Sequence, residues 1–245
     1  MSVRQTTRKS CVRLATWNLR HGGGRRVPQL LDDLKMLVFG RAPDIAVLTE
    51  FRTGSAGDKL QAGLRELGLV HQASSVSNHR QNSVLVAARF PFQVRSAEGV
   101  PPGYGHRLVT AEFDDLVVCG LYFPNKRSKA PLFDWLLGRT ELLNRRALLF
   151  GDFNTGLHHL DEHGATFFCA DRFAGLLEQG WVDLWRERNP EAREFSWFSG
   201  VGNGFRIDHA FGSPQLAKTV RCVSYSHEVR IRRVSDHSAM FLELD

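Results

Sequence analysis

Apolar and polar positions along this chain change over in short blocks. Runs rich in valine and leucine occupy 12–17, 44–49, 83–88, 108–113, 116–123 and 147–150, each bounded by Gly, Pro or polar clusters. That is the pattern of buried strands. Between some of them the apolar spacing shifts to three and four. Residues 27–39 set Leu30, Leu31, Leu34, Leu37 and Val38 on one face, and 132–143 carry a similar stripe, so both read as amphipathic helices packed on a core. Phe113 and Leu116 flank Asp114-Asp115, a turn pair that makes 108–122 a hairpin. Residues 171–177 read as a helix ended by Gly180, followed by short strands at 207–211, 220–225 and 239–244. Hairpins and crossover helices together predict an α/β fold, a four-layered sandwich of two packed mixed β-sheets with helices on the outer faces. No linker, repeat or low-complexity block interrupts the chain. A single domain is expected over 12–245, behind a flexible basic terminus at 1–11 that is either a DNA-touching arm or a frayed end.

The chain has 245 residues, 42% hydrophobic and 24% charged, which excludes a disordered or fibrous protein and allows a large core. Cys11, Cys119, Cys169 and Cys222 lack the paired spacing of a zinc cage and show no disulfide framework, as expected in a reducing cytoplasm. No run approaches the roughly 20 apolar residues of a membrane span, and the polar start lacks a signal-peptide core. A cytoplasmic monomer without a membrane partner is therefore expected. The net charge of +6 favours encounter with a polyanion such as nucleic acid. Charge alone does not separate that from an ordinary basic protein.

The placement of polar residues is more informative. Asn18, Glu50, Tyr122, Asp152, Asp208 and Asp236 each stand at or beside the end of an apolar run, and in open α/β sheets such ends converge where ligands collect. A hard cation such as Mg²⁺ prefers oxygen ligands and needs only one or two carboxylates besides substrate phosphate. Taken singly, each residue has an ordinary reading: Glu50 as a turn, Asp236-His237 as a helix cap or surface pair.

Their order and context match one pattern. ATWNL around Asn18, PDIAVLTEFR around Glu50, HRLVTAEF and LYFPN around Tyr122, GDFN at Asp152, GWVDLW, FSWF, GFRIDHAF around Asp208 and SDHSAM at Asp236-His237 together resemble the endonuclease/exonuclease/phosphatase superfamily. Within it the likeness is to the exonuclease III type of apurinic/apyrimidinic endonuclease. The resemblance covers residues 12 to 244. It implies a metal-dependent phosphodiesterase acting on duplex DNA, abasic or nicked, as an abasic-site endonuclease or 3′-5′ exonuclease in repair, with Mg²⁺ as cofactor and Mn²⁺ as substitute. Glu50 would ligate the metal, with Asn18 beside it and Asp236 a candidate for a second ion or the leaving oxygen. Asp152 would orient or deprotonate the attacking water and Asn154 fix its direction. His237 would donate to a phosphate oxygen while Asp208 holds its tautomer. Tyr122 and Asn125 resemble phosphate contacts, and Arg107 is either a contact to the backbone or a solvated arginine at a strand start. Trp197, Phe205 and Ile207 match the apolar pocket for an extrahelical sugar, where a damaged site is the least costly to flip; as aromatic and apolar residues they are also candidates for the core. A phosphodiesterase or phosphatase for RNA, nucleotides or phospholipid head groups is the alternative enzyme, and a catalytically silent nucleic-acid-binding module the alternative of another class.

The match departs from the family at three places. Asn18-Leu19 is followed by Arg20-His21 and then Gly22-Gly23-Gly24-Arg25-Arg26, where relatives continue Asn-x-Asn-Gly or Asn-x-Asp-Gly. An oxygen ligand is lost and positive charge gained; the glycines are either a backbone cradle for phosphate or a flexible turn. Thr49 replaces a glutamine, and the loop between FSWF and GFRID is short, which limits reach into a duplex. His209 reads as a strand histidine satisfied by a neighbour or as a second phosphate donor, and His158-His159 as an untethered pair without metal spacing.

Overall fold

A computed structural model describes residues 11–75 and 79–245. Residues 1–10 of the expected basic terminus lie outside the described residues. One six-stranded sheet contains β1 (Val12–Asn18), β2 (Ile45–Phe51), β3 (His71–Ser74), β4 (Ser83–Ala88), β13 (Val220–Ser226) and β14 (Ala239–Leu244), in the order β13-β14-β1-β2-β4-β3. The other contains β5 (Gln93–Arg95), β6 (Leu108–Glu112), β7 (Val117–Tyr122), β8 (Ala147–Asp152), β9 (Val182–Asp183) and β12 (Asp208–Gly212), in the order β5-β6-β7-β8-β12-β9. A two-stranded ribbon of β10 (Trp197–Phe198) and β11 (Gly204–Phe205) stands apart.

Each sheet holds one parallel pair, β1 with β2 and β7 with β8. Parallel neighbours need a crossover, supplied by α1 (Val27–Met36) and α3 (Ala130–Leu137). Further helices, α2 (Ser55–Glu66) and α4 (Ala170–Glu178), join α1 and α3 on the outer faces. Side chains alternate between layers as the two-residue period of a strand requires. Leu14, Val47, Val86, Val118, Leu148 and Phe150 fill the space between the sheets. Their neighbours Ala15, Leu48 and Leu85 turn outward onto Leu30, Leu34, Leu60 and Leu64. Leu121, Leu149 and Phe211 turn the other way onto Phe133, Leu136, Phe173 and Leu176. The result is the helix–sheet–sheet–helix sandwich that the pattern predicts. Among the described residues no helix is long and apolar enough to cross a membrane.

Two helices end earlier than their stripes suggest. The first stops at Met36 rather than at 39. The third spans Ala130–Leu137, and after Gly138 the chain tightens into a 3₁₀ turn over Thr140–Asn144 instead of continuing to 143. Helix α2 has no apolar stripe to announce it. Its buried face is Gly57, Leu60, Gly63 and Leu64, and Gly63 lies so close to Leu31 that a Cβ would come within 2.2 Å of it.

Topology explains why distant residues meet. Parallel strands finish on the same side, so β1 and β2 deliver Asn18 and Glu50 to one rim, and β7 and β8 deliver Tyr122 and Asp152. Strand β12 runs against β8 with Asp208 opposite Asp152. Strand β14 runs against β1, pairing Met240 with Thr16, which brings the preceding Asp236 and His237 to the same rim.

Candidate active site

Local backbone conformations aim these side chains. The β2–β4 register slips between Thr49 and Phe51, and Glu50, the extra residue, has φ 55°; such a bulge redirects a side chain away from the alternation of its strand. Gly151 has φ 148°, and a Cβ there would fall 2.0 Å from the Leu121 carbonyl oxygen. Only glycine lets β8 approach β7 closely enough to place Asp152 at the end of the pair. Asn154, with φ 51°, turns the chain back at once, a conformation that Asn tolerates better than most residues.

The strand ends surround a cavity of about 440 Å³. Glu50, Tyr122, Asp152, Asn154, Asp236 and His237 line its polar side, and Trp197, Phe205 and Ile207 its apolar side. Asp152 is buried. Its Oδ1 accepts the Asn154 main-chain N–H at 2.9 Å and its Oδ2 accepts Nδ2 of Asn18 at 2.9 Å. Burial and the neighbouring Asp208 raise its pKa to about 7, against the opposing pull of His237. Asp208 Oδ2 stands 2.8 Å from His237 Nδ1. Burial disfavours the imidazolium, but Asp208, with Asp152 and Asp236 nearby, outweighs it and lifts His237 to about 10. The carboxylate thus favours the charged form of this histidine.

Across the cavity the Tyr122 hydroxyl donates to Glu50 Oε1 at 3.0 Å. Burial, Glu50 and Asp152 raise the phenol well above its ordinary range, so it remains a donor. The His21 main-chain N–H donates to Glu50 Oε2 at 2.7 Å. Both carboxylate oxygens thus take neutral donors and keep lone pairs for a hard cation, and the donor set suits a divalent ion. Asp152, Asp208 and His237 also bring ligand atoms within 4.8 Å of one another. Those three are committed mainly to each other and to Asn18 and Asn154, which leaves Glu50 as the better anchor.

Other candidates fall at varied distances from the chemistry. Asn18, expected beside Glu50 in the metal shell, has its amide engaged elsewhere: Nδ2 holds Asp152 and Oδ1 accepts the Arg20 N–H at 2.9 Å. Arg107 lays its guanidinium 4.6 Å from the centre of the Tyr122 ring, and Asn125 lines the cavity. Asp236 lies 3.8 Å from Arg20. Trp197 and Phe205 are cross-strand partners in the ribbon, with ring centres 5.7 Å apart. His209 is satisfied on one side, with Nε2 2.8 Å from the Thr155 carbonyl, while its buried Nδ1 lies 3.6 Å from Asp183 Oδ2 without a hydrogen bond. His158 is not untethered: its Nδ1 lies 2.8 Å from Glu162.

Several contributors were not anticipated. Lys129 lines the cavity yet is 1% exposed, its ammonium donating to the Asn154 carbonyl. Burial lowers its pKa to about 8, with Asp152 working against that fall. A lysine inside a run of cations gives no sequence sign of burial. Glu162 accepts the main-chain N–H groups of Thr166 at 2.8 Å and Phe167 at 3.0 Å, which fixes Thr166, Phe167 and Phe168 as cavity wall. Behind the site Arg206, fully buried, bonds Asp161 at 2.7 Å and Asp183 at 2.6 Å. Arg186 reaches Asp161 at 2.7 Å. The Asp of GWVDLW and the Arg of GFRID are thus partners that brace the loop after GDFN against β9 and β12.

Comparison with known proteins agrees with this geometry. A family model described as the Endonuclease/Exonuclease/phosphatase family matches residues 15–237. An exodeoxyribonuclease of Bacillus subtilis (strain 168) is 27% identical over 244 residues, covering 89% of this chain and 94% of the relative. The 3′-5′ exonuclease NExo from Neisseria meningitidis superposes with a TM-score of 0.81 at 26% identity, over 96% of this chain and 100% of that one. The same score and identity hold for the 3′ phosphatase NExo from Neisseria bound to product DNA hairpin, over 96% and 99% of the two chains. An AP endonuclease from Archaeoglobus fulgidus shares the fold, with a TM-score of 0.77 at 22% identity over 96% of this chain and 99% of that one.

Proposed function

This chain belongs to the endonuclease/exonuclease/phosphatase family, and on that footing we propose that it is a divalent-metal-dependent DNA-repair nuclease that hydrolyses phosphodiesters at 3′ termini. The observation that carries this reading is the meeting, in one cavity, of the Asn18–Asp152 and Asp208–His237 pairs with Glu50 opposite and an aromatic wall beside them. Asp152, held through both oxygens, points at the cavity, where it orients the attacking water and takes its proton. His237, kept charged by Asp208, donates to a non-bridging oxygen as negative charge grows on phosphorus. Tyr122 and Asn125 orient the phosphate, and Asp236 faces the leaving oxygen. A divalent cation held by Glu50 would supply the Lewis acidity that offsets this charge. Trp197, Phe205 and Ile207 receive the terminal sugar.

DNA is the substrate class carried by the relatives: an exodeoxyribonuclease and a 3′-end enzyme with a DNA product. The preference for 3′ ends over internal abasic sites is supported by the ribbon, which turns tightly between Ser199 and Asn203, with the Ser199 N–H on the Asn203 carbonyl at 2.8 Å. So short a projection penetrates a duplex little. Abasic incision is the second reading, favoured by the apolar wall. The free cysteines are in keeping with a cytoplasmic enzyme, which we take to act as a monomer. A side-by-side assay on 3′-recessed duplex, 3′-phosphate ends, an internal abasic duplex, single-stranded DNA and RNA tests the order. Fastest release from 3′ ends is expected; faster abasic incision would reverse it, and faster RNA cleavage would reject DNA.

A further inference from the structure

Lys129 lines the cavity but is 1% exposed, too little for a DNA phosphate to reach it. Burying a cation is costly unless it is paired and hydrogen-bonded. Among the described residues Lys129 forms no ion pair; its bond is to a main-chain oxygen, the Asn154 carbonyl. A lysine nitrogen donates to a carbonyl whether it is charged or neutral, so this contact does not depend on a protonation state.

That carbonyl belongs to the turn that aims the catalytic groups. The Asn154 main-chain N–H donates to Asp152 Oδ1 at 2.9 Å, and Nδ2 donates to the Phe123 carbonyl at 2.7 Å. A carbonyl only accepts, which fixes Nδ2 on that side and turns Oδ1 away from it. With the main-chain oxygen on Lys129, Oδ1 is the polar atom of Asn154 that takes no hydrogen bond among the described residues. It is left for the water. Asn154 has φ 51°, a left-handed conformation that Asn tolerates and that persists only where the surroundings hold it. One short segment does so from both ends. Phe123 follows β7 and takes the side-chain amide, while Lys129 closes the 3₁₀ turn over Lys126–Lys129 and takes the main-chain carbonyl.

We propose that Lys129 is a positioning residue for hydrolysis: its bond to the Asn154 carbonyl holds the turn after Asp152, and with it both the Asp152 carboxylate and the Asn154 Oδ1 that direct the attacking water. Loss of that bond frees the Asn154 peptide to rotate, which withdraws its N–H from Asp152 and moves Oδ1 off the line of attack. The inference rests on the reading that Asp152 and Asn154 direct the water.

The test is a mutant cycle on one 3′-recessed duplex with saturating divalent cation. It measures kcat, KM and DNA affinity for wild type, Lys129→Met, Asp152→Asn and the double variant, with thermal melts to check folding. Methionine keeps the apolar stem and removes the donor. Lys129→Met should lower kcat by about tenfold or more, as misplacing a reacting group does, with KM and DNA affinity within about threefold. The slope of log affinity against log salt should not change, because a buried residue touches no phosphate. In the Asp152→Asn background the same substitution should cost less than about threefold, since no carboxylate remains to be aimed. Lys129→Ala covers a methionine variant that folds poorly: propylammonium supplies the atoms removed and should raise its kcat by about tenfold or more without moving its melting temperature. A kcat loss under about tenfold in Lys129→Met, an equal loss in both backgrounds, or no gain from the amine in Lys129→Ala overturns the proposal. A salt slope smaller by about 1 also overturns it and makes Lys129 a phosphate contact. Turnover in Asp152→Asn equal to wild type overturns instead the reading on which it rests.

Discussion

Gly151 decides where Asp152 points. With φ 148° and only 2.0 Å between a would-be Cβ and the Leu121 carbonyl oxygen, any side chain there forces β7 and β8 apart. Gly151→Ala should destabilise the protein by about 3 kcal/mol or more, the class of effect expected from overpacking at a special backbone position. A thermal melt should register that as a fall of roughly 10 °C for a chain of this size. A melt within a degree or two of wild type would mean that the strands separate at little cost. The same residue shows what a sequence can and cannot disclose. GDFN marks Asp152 and Asn154 at once, and both stand in the cavity, but the reason for the glycine emerges only once its neighbour strand is known. Lys129 and Glu162 left no mark, because burial of a charged residue depends on partners 25 and 4 positions away.

At the scale of elements, strands buried on both faces, which read as continuous apolar runs, were legible nearly to their ends, as 83–88 and 239–244 show against Ser83–Ala88 and Ala239–Leu244. Helix α2 was not, since it packs through two glycines and two leucines and depends on close approach rather than on an apolar stripe. The ionic brace behind the site was hidden for a related reason. Asp183 and Arg206 sit in recognisable motifs, but their bond joins segments 23 residues apart. Burial alone would raise the Asp183 pKa; Arg206 and His209 outweigh it and hold the carboxyl well below its usual range, and Arg206 also keeps Asp161 low against burial. The folded-state values are depressed, so the unfolded chain binds protons first as pH falls. The brace therefore contributes its full stability above the unfolded Asp value of about 3.9 and loses it progressively below. Asp183→Asn, which leaves Arg206 short of one charge, should cost about 3 kcal/mol at neutral pH. Its penalty should shrink in acid, by under about 1 kcal/mol at pH 3.5, because the unfolded wild type then takes up a proton that its folded state still excludes. Denaturant unfolding at pH 7 and pH 3.5 measures both; a penalty that grows in acid would assign the stability elsewhere.

On the scale of the whole molecule, two sheets with one parallel pair each bring four strand ends to a single rim, and the net charge of +6 favours encounter with a polyanion. Lys126 lines the cavity mouth, and Arg127 lies 5.5 Å over the Phe168 ring beside it. If both touch phosphates, the slope of log affinity against log salt should fall in magnitude by about 1 to 2 in a Lys126→Ala, Arg127→Ala double variant. Turnover at saturating DNA should stay within about threefold, since phosphate contacts position the substrate. An unchanged slope would place the DNA track elsewhere on the rim. The most direct measurement compares wild type and Asp152→Asn on one 3′-recessed duplex, with a divalent cation and with chelator, recording DNA binding and strand shortening together. Wild type is expected to shorten the strand only with the cation. The variant is expected to bind within about threefold yet turn over about 10³-fold more slowly, the range for loss of a positioned general base. Equal cleavage by both proteins, or cleavage that survives chelation, would contradict a metal-dependent centre built on Asp152.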